Sequence, residues 1–254
     1  MCGISGFIGK YAISKVMDIT INQIDRGVSS TGIAYIYNNS IRIVKDTVNP
    51  IEFSKRYGSL RFLDVDIAIG HNRAPSRGLI SYENAHPFLS CNGSFALVHN
   101  GTVFFRDNYN RIKNLLIEHG HKVKGETDSE LITHILEVYK NRIGDWVNAI
   151  EEWSRDWLSG AVLILTHEGK IYGVRNNDNP LVVVKSGGNI YLASELEAIL
   201  PLIDEYEYAL TPSDYVVVEV SKNNVIFYGD FKKARLEESY HRYWYKRFYK
   251  RWYR

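Results

Sequence analysis

What most constrains this chain is a set of short, strand-like runs, many of them apolar at every position rather than at alternate ones. They fall at residues 4–8, 33–37, 41–44, 65–69, 95–99, 161–166, 170–174, 181–184, 190–193, 215–220 and 225–228. Successive side chains of a strand point to opposite faces, so a run that is apolar throughout belongs to a sheet covered on both sides. Turn residues such as Asn38-Asn39, Glu168-Gly169, Ser186-Gly187-Gly188 and Lys222-Asn223-Asn224 separate neighbouring runs closely enough for antiparallel hairpins. Helical periodicity appears at 13–24, 110–119, 129–139 and 145–153, and Thr127-Asp128-Ser129-Glu130 opens the third with residues typical of a helix start. The expected fold is α/β: two antiparallel sheets between helices, a four-layer αββα sandwich. No linker interrupts the pattern before about residue 220, so 2–220 reads as one domain. Residues 221–254 read as a final hairpin strand followed by a tail.

Composition narrows the class. With 45% hydrophobic and 24% charged residues in 254, the chain has material for a sizeable core. No apolar run approaches the ~20 residues of a membrane helix, and the N-terminus has no secretory pattern. The net charge of +2 is uneven: residues 231–254 hold nine Lys or Arg against Glu237 and Glu238, a net +7, leaving about −5 on the remainder. Two distant cysteines make no disulfide framework. A cytoplasmic, reducing setting is expected.

Four features carry chemistry. Cys2 follows the initiator methionine, and removal of Met1 would leave a thiol and a free α-amine on one carbon. Such an amine titrates at roughly 7.7–8.0, which suits a general base near neutral pH. Against this, any residue can follow Met1. Arg73, in Gly70-His71-Asn72-Arg73, is a bidentate clamp for a carboxylate or an ordinary surface ion pair. Asn100-Gly101, ending an apolar strand, is a type I′ hairpin turn or an oxyanion hole built from a side-chain amide and a backbone N–H. Asp128 is a helix N-cap or the acceptor for a substrate ammonium. Taken together, the four describe a site for a free α-amino acid with an acyl side chain. Its carboxylate would meet Arg73, its ammonium Asp128, and its side-chain carbonyl Cys2 and Asn100/Gly101.

The order of motifs resembles the glutaminase domain of class II glutamine amidotransferases, which are N-terminal nucleophile hydrolases. The likeness is nearest the glucosamine-6-phosphate synthase and amidophosphoribosyltransferase branches. It rests on Cys2-Gly3-Ile4, on Asp25-Arg26-Gly27-Val28-Ser29-Ser30-Thr31-Gly32 and on Gly70-His71-Asn72-Arg73. It extends through Asn84-Ala85-His86-Pro87-Phe88, His99-Asn100-Gly101, Glu126-Thr127-Asp128-Ser129-Glu130, Asn179-Pro180-Leu181 and Ala193-Ser194-Glu195. The resemblance implies hydrolysis of L-glutamine to glutamate and ammonia through a Cys2 thioester. Asn100 and Gly101 would form the oxyanion hole, Arg73 and Asp128 would bind the α-groups, and Gly101 would also touch the substrate. Arg26 would help place the N-terminus. His86 would line the glutamine pocket or sit in the core. Residues 73–81 would close over the substrate, with Ser76 supplying a hydroxyl where threonine is usual. Ala74 stands where relatives often carry an aromatic, which alters the lid and its coupling to an acceptor site.

No acceptor-using domain follows, so ammonia is expected to pass to a separate partner protein. Two other readings are a hydrolase of another γ-glutamyl amide and a non-catalytic binding module. No cofactor is expected. No cluster has metal-ligand spacing: His119-Gly120-His121 reads as a solvated turn, and Cys91 as a partly buried thiol near a strand end. The tail, 235–254, reads as a helix carrying Tyr240, Trp244, Phe248 and Trp252 on one face amid Lys and Arg. It would contact the domain, a protein partner, nucleic acid or a membrane surface, the last disfavoured by the lack of a long aliphatic face.

Overall fold

The computed structural model describes residues 1–234 apart from 75–77, 104, 106, 107, 178 and 223. The tail at 235–254, with its expected helix and contacts, lies outside the described residues, as does Ser76. In chain order the main elements are β1 (Gly3–Ile8), α1 (Ala12–Asn22), β2 (Ser30–Tyr37), β3 (Ser40–Asp46), α2 (Pro50–Arg56), β4 (Ile67–Arg73), β5 (Phe88–Leu89) and β6 (Phe95–Gly101). Three helices follow, α3 (Tyr109–Glu118), α4 (Asp128–Ile143) and α5 (Trp146–Trp157). The chain then continues through β7 (Gly160–Thr166), β8 (Lys170–Arg175), β9 (Val182–Ser186), β10 (Asn189–Ala193), β11 (Tyr208–Pro212), β12 (Val218–Ser221), β13 (Asn224–Phe227) and β14 (Phe231–Lys233).

Two antiparallel sheets result. The first has the order β14-β11-β9-β10-β1-β4-β2-β3 and the second β13-β12-β8-β7-β6-β5. Three hydrophobic cores mark the three interfaces of a four-layer sandwich. Ile13, Val16 and Met17 of α1 and Phe53 of α2 pack with Phe7 and Ile33 on the outer face of the first sheet. Ile4, Ile69, Val98, Leu163 and Leu192 fill the space between the sheets. Leu131, Ile135, Ile150 and Trp153 of α4 and α5 cover Phe95, Leu97 and Val162 on the outer face of the second. Strands β1 and β7 contribute to cores on both sides, which is why their sequences do not alternate. Each fully buried Ile or Leu contributes roughly 1.5–3 kcal/mol, so the central strands carry much of the stability.

The structure departs from the sequence pattern in identifiable places. The run 215–220 becomes a strand only from Val218, because Tyr215 takes a left-handed φ of 62° and Val216 N–H closes a turn onto Ser213 O at 3.1 Å. The short elements α2, β5, β11 and β14 have too few residues for a periodicity of their own. Past residue 220, β13 pairs with β12 as the expected final hairpin strand, and beyond it β14 pairs with β11 and Ala234 packs on the α1 core. Among the described residues, no helix is long and apolar enough to cross a membrane.

Candidate active site

Strand periodicity converges the chemical residues before any side-chain contact is considered. In β6, Ala96 and Val98 point between the sheets while Phe95 and Leu97 point toward the helices. The same alternation sends Asn100 between the sheets and His99 outward, where His99 Nδ1 meets the Ser129 hydroxyl of α4 at 3.0 Å. In β4, Ile67 and Ile69 face inward, and so do His71 and Arg73. In β1, Ile4 and Ile8 face inward, and Cys2 keeps that parity. Gly3 pairs with Asn72, which sets Cys2 beside Arg73. Cys2, Arg73 and Asn100 are therefore all on inward-facing positions, and Cys2 adjoins Arg73 across the β1–β4 pair.

The start of β1 is held by side chains from elsewhere. Arg26, buried, donates from Nε to Cys2 O at 2.9 Å and makes an ion pair with Glu195. Ser194 Oγ accepts Ile4 N–H at 3.0 Å, and Gln23 Nε2 donates to Ile4 O at 3.0 Å. Asn72 Nδ2 donates to Gln23 O and Gly27 O at 2.8 and 3.1 Å. Of these, Gln23 and Asn72 carry no chemical signature in the sequence beyond their places beside motif residues. The Cys2 sulfur lies 3.4 Å from both the amide nitrogen and the carbonyl oxygen of Ala74. Burial pushes the Cys2 thiol up, against the Ala74 N–H and the positive charges of the N-terminus, Arg73 and Arg26. The thiol form thus prevails until a base removes its proton.

Arg73 is buried and donates from Nη1 to Leu79 O at 3.0 Å. Burial lowers its pKa, while Cys2 and Asp128 act in the opposite direction. Asp128 is not the N-cap of α4; Thr127 is, its hydroxyl accepting Glu130 N–H at 3.3 Å. Asp128 is the first helical residue, buried, with Oδ2 accepting Val103 N–H at 2.5 Å. The N-cap alternative therefore falls away. So does the hairpin alternative for Asn100-Gly101. Both residues belong to β6, and neither has the positive φ that a type I′ turn requires. Asn100 is buried, and its Nδ2 has no hydrogen-bond partner among the described residues. At Gly101 a Cβ would stand 2.1 Å from Ser159 O, so only glycine fits.

His86 lies deeper. Its ring stacks on His71 with centroids 3.9 Å apart and meets Phe88 edge-on at 4.8 Å. Both its ring nitrogens are buried without hydrogen-bond partners, and burial lowers its pKa. This is the surrounding of a neutral core histidine, and no contact among the described residues brings it to Cys2. Ser76 and the middle of the 73–81 loop lie outside the described residues.

Comparison with known proteins adds the class. The family model of the glutamine amidotransferase domain matches residues 58–239. Glutamine–fructose-6-phosphate aminotransferase (isomerizing) of Sulfurisphaera tokodaii is 31% identical over 241 residues, covering 89% of this chain and 40% of that protein. The Methanococcus maripaludis enzyme of the same name is 34% identical over 237 residues, covering 88% and 37%. The chain thus spans about 40% of the length of these curated relatives. Among solved structures, the B. subtilis glutamine phosphoribosylpyrophosphate amidotransferase superposes with a TM-score of 0.72 at 21% identity, over 91% of this chain and 49% of that one. A glutamine aminotransferase class-II domain protein from Silicibacter pomeroyi gives 0.57 at 13% identity, over 92% of this chain and 100% of that one. The two sheets between helices are the N-terminal nucleophile hydrolase fold. The chain belongs to the glutamine amidotransferases, class II.

Proposed function

We propose that this chain hydrolyses the side-chain amide of L-glutamine to glutamate and ammonia through a thioester on Cys2. The observation that carries the reading is the buried, unpartnered amide of Asn100. A buried donor without an acceptor costs on the order of 1–3 kcal/mol, and such a group is retained where a ligand supplies the acceptor. An oxyanion on the substrate's side-chain carbon is that acceptor, with Gly101 N–H as second donor.

Removal of Met1 frees the Cys2 amine, which takes the thiol proton as sulfur attacks the amide carbon. The C–N bond breaks, the proton passes to the leaving nitrogen, and ammonia departs. Water, deprotonated by the same amine, cleaves the thioester and restores the thiol. Arg26, fixed by Glu195, holds the Cys2 carbonyl so that sulfur and amine keep their relative positions. Arg73 binds the substrate α-carboxylate and Asp128 its α-ammonium, so the site takes the L-amino acid rather than a simple amide. Ammonia then goes to an acceptor-using synthase domain or partner.

Glutamate release by the purified chain tests the proposal. Activity should require Met1 removal and should vanish in Cys2→Ala. Full activity in Cys2→Ala would remove the thioester. Offering γ-glutamyl amides beside glutamine separates a glutaminase from a broader γ-glutamyl hydrolase.

A further inference from the structure

Away from Cys2, three distant segments bring four metal-binding side chains to one point. Cys91 lies in the turn between β5 and β6, His121 in the loop after α3, and His134 and Glu137 on one face of α4. One ligand atom from each of the four lies within 4.8 Å of all the others. Cys91 Sγ is 3.6 Å from His121 Nδ1 and 3.4 Å from His134 Nδ1. Glu137 Oε2 is 3.3 Å from His121 Nδ1 and 3.7 Å from His134 Nδ1.

These four distances match edges of a tetrahedron of ligands around an ion, and the remaining two pairs lie within 4.8 Å. Metal–sulfur bonds of about 2.3 Å and metal–nitrogen or –oxygen bonds of about 2.0–2.1 Å imply S···N edges of about 3.6 Å and N···O edges of about 3.3 Å. A hydrogen-bond cluster alone accounts poorly for the arrangement. Cys91 has one thiol proton, yet its sulfur lies within 3.6 Å of two imidazole nitrogens, and both of these also converge on the same carboxylate oxygen. The supporting contacts fit ligands as well. Cys91 Sγ accepts Lys122 N–H at 3.3 Å, and the Glu137 carboxylate accepts Cys91 N–H at 3.0 Å and Asn92 N–H at 3.2 Å. Outer bonds of this kind orient a thiolate and a carboxylate around a metal. The side chains of His134, Glu137 and His121 are only 3%, 5% and 11% exposed, whereas Cys91 is at the surface and leaves an entry path.

We infer that Cys91, His121, His134 and Glu137 bind one divalent ion of the zinc class. The donor set of one sulfur, two imidazoles and one carboxylate in tetrahedral array is zinc's, and hard cations such as Mg²⁺ and Ca²⁺ prefer all-oxygen sites. With four protein ligands the site is closed, hence structural rather than catalytic. It ties the turn that starts β6 to the middle of α4. Those two elements carry Asn100 and Asp128 at their other ends. The sequence reads as having no metal site because the spacings 91–121–134–137 match no common ligand motif; the fold makes the cluster.

The test uses zinc itself. The full chain, exchanged through chelator and reloaded with Zn²⁺, should retain one equivalent after gel filtration, and zinc should raise its melting temperature. Substituted with Co²⁺, it should show a sulfur-to-cobalt charge-transfer band. Cys91→Ser, at the surface, and the near-isosteric His121→Gln should each fold and lose most of the zinc affinity. Cys2→Ala, which removes the other thiol, should keep its zinc. Failure of the wild-type chain to retain zinc overturns the inference, and so does equal zinc affinity in Cys91→Ser.

Discussion

In the proposed mechanism Asn100 sits where stability and catalysis make opposite demands. Its Nδ2 is buried without a partner among the described residues, so the folded state bears a desolvation cost that an acceptor on a bound ligand would relieve. An ordinary buried asparagine is satisfied, and truncating it destabilises the protein. Here Asn100→Ala removes an orphan donor, and its loss of contacts is offset by the loss of that penalty. The melting temperature should therefore change little. Turnover should fall by about 10²–10³-fold, the usual effect of deleting one oxyanion donor, with a smaller change in KM because the donor acts chiefly on the intermediate. Steady-state kinetics and thermal denaturation on the same preparation decide the matter. A variant that is unstable but fully active would make Asn100 a structural residue.

Helix α4 shows how an element is tuned to present a side chain. Thr127 caps it, and the buried Glu130 carboxylate turns back to accept Lys124 N–H at 2.8 Å and Gly125 N–H at 2.6 Å. Glu130 thus fixes the loop that delivers Asp128. Glu130→Ala leaves two backbone donors without their acceptor and should cost about 2 kcal/mol or more. The neighbouring, exposed Glu126→Ala should stay within about 0.5 kcal/mol. Equal urea midpoints for the two variants would remove Glu130 from this role. Elements like α4 were legible in the sequence because residues 129–139 show a periodicity, within a helix of sixteen residues. Strands β6 and β7 were legible because burial on both faces leaves an unbroken apolar run at 95–98 and 161–165. Helix α2 has an Asn49 cap and Pro50 at its start, but its seven residues complete too few turns to stand out. Strand β1 lies between β10 and β4, and nothing in an apolar run names its partners. The candidate site was legible at Cys2, Arg73, Asn100-Gly101 and Asp128 because their residue types are chemically distinctive. Gln23 and Asn72 act through backbone carbonyls, a role that leaves no mark on residue choice. The Cys91 cluster escaped because it exists only once the α3–α4 loop folds over the β5–β6 turn.

At the scale of the whole molecule, the two sheets meet near the site through histidines held neutral. His71 of the first sheet places Nε2 3.0 Å from His99 O of the second. A carbonyl only accepts, so Nε2 carries the proton and Nδ1, buried and unpartnered, does not. Burial lowers the His71 pKa to about 3, although the bond to His99 O favours the charged form. His86, stacked on it, and His99 are lowered as well, burial again being the main cause. An unfolded histidine titrates near 6.5. Between about 3 and 6.5 the unfolded chain therefore takes up a proton that folded His71 refuses. The stabilising term is fully present above about pH 6.5 and erodes as pH falls below it. The slope is about 1.4 kcal/mol per pH unit for each such histidine. From about pH 6.5 to 5, His71 alone removes about 2 kcal/mol, a large share of a typical total of roughly 5–15 kcal/mol. His71→Gln keeps a donor for His99 O and deletes the titration. Urea unfolding at about pH 7 and pH 5 should show a smaller acid loss in the variant, by on the order of one proton's linkage. Carboxylates contribute equally to both chains and cancel in that difference. Identical losses would mean that His71 is protonated, or hydrated, in the folded protein, and that the sheets do not meet there through a neutral ring.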